Sequence, residues 1–145
     1  MIPGFFQITL KVFLVSGDKF LILKDAEKQV GDLPGGRFGP GEIYLPWKDS
    51  ISREMAEELG KNVRYDLSRD PIFLFPHRIV NGGHEALGIA YQARYLGGEI
   101  QISDEHDFMQ WVDIDSYNPS PMFSDHMLEA VCRFQKAWKN KEISV

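Results

Sequence analysis

Three glutamates spaced for a shared face are the residues in this chain best suited to chemistry. Glu54, Glu57 and Glu58 lie in the run Arg53-Glu54-Met55-Ala56-Glu57-Glu58-Leu59-Gly60. In a helix the i, i+3 and i+4 positions project from one side, so the three carboxylates point the same way. Like charges at that spacing repel by roughly 0.2–0.5 kcal/mol per pair on an exposed helix. A cation placed among them offsets that repulsion, and hard divalent ions such as Mg²⁺ take oxygen ligands of this kind. Upstream stands a glycine-rich stretch, Leu33-Pro34-Gly35-Gly36-Arg37-Phe38-Gly39-Pro40-Gly41-Glu42. Its prolines and glycines predict a shaped loop over Leu33–Gly41 rather than a regular element.

The flanking pattern predicts the elements that position these residues. Gln7–Ser16 reads as a strand rich in β-branched and aromatic residues. Ser16-Gly17-Asp18-Lys19 is a hairpin turn, and Phe20–Lys24 returns as the second strand. A helix starts at about Pro46 or Asp49 and runs to Leu59, with Gly60 as its stop. Ile51, Met55 and Leu59 form its buried stripe, and the glutamates lie largely off it. Ile72–Phe75, Leu87–Leu96 and Phe108–Val112 read as further strands, with Gly97-Gly98 as a turn. Ser124 and Asp125 can cap a last helix to about Asn140, with Met127, Val131, Phe134 and Trp138 as its apolar stripe. Strands and helices mix without strict βαβ alternation, which predicts an α/β (α+β) sandwich with a mixed sheet.

The glycine turn and the glutamate helix together resemble the Nudix box. That motif runs Gly, five residues, Glu, seven residues, Arg-Glu-aliphatic-X-Glu-Glu-X-Gly-aliphatic. Gly36 is followed by five residues and then Glu42, and Arg53–Gly60 matches the second half. Two departures stand out. Ten residues, Ile43–Ser52, separate Glu42 from Arg53, so the loop before the helix carries three extra residues. Lys61 replaces the final aliphatic residue, whose packing Val63 can supply. The initial hairpin, the later strands, Glu105 six residues before Trp111 and the terminal helix also look like this family.

The resemblance implies a Nudix-type α/β/α sandwich over residues 1–145 as one domain. It implies cleavage of a nucleoside diphosphate linked to another group, by water attack on phosphorus. Glu57 and Glu58 are then the main ligands of Mg²⁺, with Mn²⁺ as a substitute, and Glu54 ligates a cation or holds the water. The main-chain carbonyl of Gly35 is a further ligand. Arg53 pairs with Glu57 or Glu42 and orients ligands. Glu105 is the first choice for the general base, with Glu54 as the alternative. Gly36, Glu42 and Gly60 are motif residues with structural roles.

Other residues point less sharply. Arg37 and Arg78 are candidates for contacting substrate phosphate. Phe5, Phe6, Tyr44, Trp47 and Phe75 are available to stack on a base, and Tyr44 and Trp47 make the enlarged loop a substrate-shaping element. His77, His84, His106 and His126 show no metal-binding spacing. Trp111 reads as core, and Cys132 as a small buried residue. Pro76 lies fifteen residues beyond Lys61, a position where the family's ADP-ribose members often carry proline. It tips the substrate slightly toward ADP-ribose or a nucleotide sugar. A nucleoside triphosphate pyrophosphohydrolase and a non-catalytic nucleotide-binding sensor are the alternatives.

The chain of 145 residues has a formal net charge of −5, which disfavours nucleic-acid polymers as partners. Its lone cysteine forms no internal disulfide, and its apolar N-terminus lacks a basic leader and is interrupted by Lys11. These features suit a cytoplasmic protein without membrane association. The resemblance also allows a homodimer.

Overall fold

The computed structural model describes residues 1–79 and 84–143, with the side chains of residues 78 and 79 left out. In chain order the strands are β1 (Gln7–Ser16), β2 (Lys19–Asp25), β3 (Gly31–Asp32), β4 (Gly35–Arg37), β5 (Arg64–Leu67), β6 (Phe73–Ile79), β7 (His84–Gly97) and β8 (His106–Asp113). The helices are α1 (Trp47–Leu59) and α2 (Asp125–Lys139). β1 runs parallel to β7, while its other pairings and those of β2, β5, β6 and β8 are antiparallel, so the sheet is mixed.

Period-two alternation sorts β1 between two cores. Leu10, Val12 and Leu14 face Ile51, Met55 and Leu59 of α1. Phe13 and Val15 face Met127, Val131 and Phe134 of α2. The Phe13 and Phe134 rings stack with centroids 4.1 Å apart. The sheet thus lies between two helices, as the sandwich expectation requires. Among the described residues no helix is long and apolar enough to cross a membrane.

The hairpin opens a gap that becomes the site. β1 and β2 pair only at Val15–Phe20 and Ser16–Lys19, next to the turn. Beyond that, β1 takes β4 as its partner and β2 takes β3, while β8 pairs along the other edge of β2 from Lys19 to Asp25. The glycine-rich stretch therefore fills the space between the diverging strands. This corrects the expectation of an irregular loop, because Gly35–Arg37 pairs with Thr9, Leu10 and Lys11. Glycine makes the close approach possible. Gly35 has φ 144°, and a Cβ there would overlap the Leu10 carbonyl oxygen. Gly35→Ala is therefore expected to destabilise the fold by about 2–4 kcal/mol, read as a lower urea midpoint at unchanged slope.

Other elements differ from expectation in extent. β6 continues to Ile79, β7 spans His84–Gly97, and Gly97 pairs with Arg64 rather than forming a turn. β3, with two residues, is too short to show an alternation, whereas β5 alternates exposed and half-buried positions. Gly60 ends α1 at φ 93°, its N–H donating to the Ala56 carbonyl. Ser124 occupies the cap position of α2 without a side-chain capping bond. Cys132 is exposed, contrary to expectation, because one helical step past Val131 turns it off the buried stripe. Trp138 and Trp111 are half-buried and pack against the two cores.

Candidate active site

Helix α1 presents its acidic face to the gap between β1 and β2. Glu58 is not off the buried stripe as expected, being only 3 % exposed. Ile51, Met55 and Glu58 fall at i, i+4 and i+7, so a carboxylate occupies a stripe position. Glu58 Oε1 accepts the Gly35 N–H at 2.9 Å. Burial pushes its carboxyl up to about 7, against the pull of Lys11. Glu54 is half-buried, and a Cβ on Gly36 would overlap its carboxylate, so only glycine leaves that group room. Desolvation raises the Glu54 carboxyl above the ordinary range. Glu57 is exposed at the helix surface.

Arg53 ties the acidic face to the turn. Its Nη2 donates to both Glu42 oxygens at 3.0 and 2.9 Å, and its Nη1 donates to Glu54 Oε1 at 3.1 Å and lies 3.6 Å from Glu57. Glu42 also accepts the Gly39 N–H at 2.5 Å and the Ser50 hydroxyl at 2.8 Å. These bonds hold its carboxyl below the usual range. The enlarged segment opens with a 3₁₀ turn over Glu42–Tyr44, and Glu42 still reaches Arg53. Trp47 packs on Phe38 and donates its indole N–H to the Ile43 carbonyl at 3.0 Å. Tyr44 is 90 % exposed, and neither it nor Trp47 lines the acidic cavity. The enlarged loop therefore braces the turn rather than shaping this cavity.

The cavity measures about 370 Å³ and is lined by Glu54, Glu57, Glu58 and Glu105 together with Gly35, Gly36, Arg37, Lys11, Lys28, His77 and His106, among others. Glu105 sits exposed in the connection before β8, and Arg37 is exposed with its Nη1 donating to Gln7 at 3.1 Å. A second cavity of about 430 Å³ adjoins it, sharing Asp25, Lys28, Arg37 and Glu105. Among the described residues no Phe, Tyr or Trp lines either cavity. Phe6, Phe75 and Pro76 instead line a separate apolar groove. Phe5 is almost wholly exposed. The Arg78 side chain lies outside the described residues.

Sequence reasoning passed over a polar chain behind Glu58. Lys11 Nζ donates to Asp32 Oδ1 at 2.7 Å and to the Leu33 carbonyl at 3.3 Å. The other Asp32 oxygen meets His106 Nε2 at 3.1 Å. Burial opposes both charges of the Lys11–Asp32 pair. Their mutual attraction, joined by Glu58 and Glu54 around Lys11 and by the His106 and Leu33 bonds to Asp32, outweighs it, raising the Lys11 ammonium and holding Asp32 well below the carboxylate range. Lys11→Met would strand the Asp32 carboxylate, and a loss of about 3 kcal/mol in unfolding free energy is expected by urea titration. The available signal was the alternation in β1, which puts Lys11 on the inward face with Phe13.

Carboxylates lining one cavity together with arginine and lysine are the equipment of a cation-assisted hydrolase of small anionic substrates. The NUDIX domain profile matches residues 6–134, and the chain belongs to the Nudix hydrolase family. That family uses divalent metals and acts on small nucleotide-type substrates. Solved structures share the fold at low identity. The MutT protein from Methanosarcina mazei Go1 is 20 % identical, with a TM-score of 0.74 over 96 % of this chain and 99 % of that one. An ADP-ribose pyrophosphatase from Streptococcus suis is 18 % identical, with a TM-score of 0.62 over 91 % of each chain. A UDP-X diphosphatase is 15 % identical, with a TM-score of 0.72 over 99 % of this chain and 68 % of that one. Comparison with curated proteins gives no significant match.

Proposed function

We propose that this Nudix hydrolase cleaves the pyrophosphate bond of a nucleoside diphosphate linked to a second group, with ADP-ribose and nucleotide sugars as the preferred class. The observation that carries this reading is the pair of adjoining polar cavities, about 370 and 430 Å³, the first lined by the acidic face of α1 and the second joined to it at Asp25, Lys28, Arg37 and Glu105. Two compartments give room for a group on each side of a bridging pyrophosphate. Their linings are polar and, among the described residues, free of Phe, Tyr and Trp, which suits phosphates and sugar hydroxyls and leaves the base to be held without aromatic stacking. Two of the fold relatives, an ADP-ribose pyrophosphatase and a UDP-X diphosphatase, support this class.

The residues present fit a divalent cation. Buried Glu58 accepts one hydrogen bond from Gly35, which leaves most of its acceptor capacity open. Glu57 and Glu58, with the Gly35 carbonyl, would hold the ion, which leaves Glu54 to the attacking water. When bound, it supplies charge neutralisation at the pyrophosphate and a more acidic water. The chain's own groups do the rest. Arg37 and Lys28 in the lining attract the substrate's phosphates. Arg53, gripped by Glu42, fixes the Glu54 carboxylate against Gly36. Glu54 then takes the proton of the attacking water, and its raised carboxyl suits that task better than an ordinary surface acid. Glu105, the first choice from sequence, stands exposed at the cavity mouth and is assigned no proton transfer.

Turnover of ADP-ribose, nucleotide sugars, dinucleoside polyphosphates and nucleoside triphosphates with Mg²⁺ and with Mn²⁺, resolved by chromatography, tests the reading. Hydrolysis of ADP-ribose or nucleotide sugars ahead of the others, lost in Glu57→Gln, is the expected result. Hydrolysis of triphosphates alone would overturn the substrate class. Nucleotide binding without turnover of any substrate would overturn catalysis.

A further inference from the structure

His106 is buried, yet one of its ring nitrogens is left over. Its Nε2 lies 3.1 Å from Asp32 Oδ2, while Asp32 Oδ1 is taken by Lys11 and the Leu33 N–H. An ionised Asp32 is an acceptor only, which puts a proton on Nε2. The opposite nitrogen, Nδ1, is buried without a hydrogen-bond partner. It stands 3.7 Å from Glu58 Oε2, too far for a hydrogen bond. The ligand atoms of Glu58, Glu105 and His106 all lie within 4.8 Å of one another. Ligands on opposite sides of an ion at about 2.1 Å stand about 4.2 Å apart, so small side-chain adjustments bring the set to the span of one ion.

We propose that His106 Nδ1 is a direct nitrogen ligand in a Glu58–Glu105–His106 cation site, which makes the enzyme select a transition ion such as Mn²⁺ or Co²⁺ over Mg²⁺. The inference rests on the reading of helix α1 as a cation-holding face. A carboxylate that takes the far N–H of a histidine is the usual companion of a metal-bound imidazole, since it fixes tautomer and ring orientation. Lys11 in turn holds Asp32 in place for that role. Oxygen-only sites suit Mg²⁺, whereas an imidazole shifts preference toward the first-row transition ions.

Pulsed electron paramagnetic resonance of the Mn²⁺-loaded protein tests this without reference to turnover. Nitrogen modulation of the Mn²⁺ signal is expected, changing to the ¹⁵N frequencies when the protein is grown with ¹⁵N-histidine and vanishing in His106→Gln. The labelled parent protein carries the test if that variant fails to fold. In direct competition, His106→Gln should lose about tenfold or more of its preference for Mn²⁺ over Mg²⁺. Tight Mn²⁺ binding that is weakened by Glu57→Gln but shows no nitrogen modulation would overturn His106 as a ligand and leave the hydrolase reading intact. Absence of any Mn²⁺ binding would overturn both.

Discussion

Glu58→Gln is expected to lower kcat/KM on the order of 10³-fold and, at the same time, to stabilise the cation-free protein above pH 7. Both effects come from one buried carboxylate. The loss of rate follows because glutamine keeps the shape and the bond from Gly35 but offers no charge to a cation. The gain in stability follows from linkage. Burial lifts the Glu58 carboxyl from 4.5 to about 7. Between those values the folded protein holds a proton that the unfolded chain has released, so stability falls as pH rises through the window. Above pH 7 the folded state carries an ionised carboxylate in a poorly solvated place, and the neutral isostere removes that penalty of about 1–3 kcal/mol. Below about pH 4.5 the acid is neutral in both states and the two proteins should differ little in stability. Thermal unfolding with chelator at pH 5 and pH 8, followed by circular dichroism, checks the sign. A variant less stable than the parent at pH 8 would show that Lys11 outweighs burial at this position.

Glu54→Gln should reduce kcat by about 10²–10⁴-fold while cation affinity falls far less. Two contacts hold this side chain, the Arg53 guanidinium at 3.1 Å and the bare face of Gly36. Its carboxyl titrates above the ordinary range, first through desolvation and then through the neighbouring charges of Glu57 and Glu105. The acid limb of the rate profile should therefore lie above the usual carboxylate value and disappear in the variant. Glu105→Gln, by contrast, should preserve that limb. The reverse pattern, with Glu105→Gln erasing the limb, would return the base to the loop before β8. Calorimetric titration of Mn²⁺ into both variants separates loss of the ion from loss of the base.

The fold was legible where the physics is periodic. The β1–β2 hairpin, α1 and α2 all announce themselves through alternation or a helical stripe, and the structure keeps them within a few residues. β4 was not legible, because Gly35 and Gly36 read as a loop in any local scheme. Only the diverging hairpin, a tertiary feature, turns them into a strand. The insertion between Glu42 and Arg53 was visible as a count, but its harmlessness to the Glu42–Arg53 pair depends on a 3₁₀ turn that no short pattern specifies. The acidic face was plain from spacing, since glutamates at i, i+3 and i+4 need no tertiary context. The polar chain of Lys11, Asp32 and His106 draws on three strands far apart in sequence, and their meeting is decided by β1 and β2 separating. Lys11 alone left a readable mark, as a charge on the inward side of an apolar strand. Glu58 was misjudged for a related reason. Counting its position against Ile51 and Met55 shows it on the stripe, and its charge obscured that.

Hydrolysis of ADP-ribose in ¹⁸O-labelled water, with and without divalent cation, tests the central claim most directly. Water attack on phosphorus should place one ¹⁸O on a phosphoryl group of one product, seen by mass spectrometry, only when Mg²⁺ or Mn²⁺ is present, and Glu57→Gln should suppress it. Label incorporated equally under chelation, or nucleotide bound and returned uncleaved with cation present, would contradict a cation-dependent hydrolase at the face of α1.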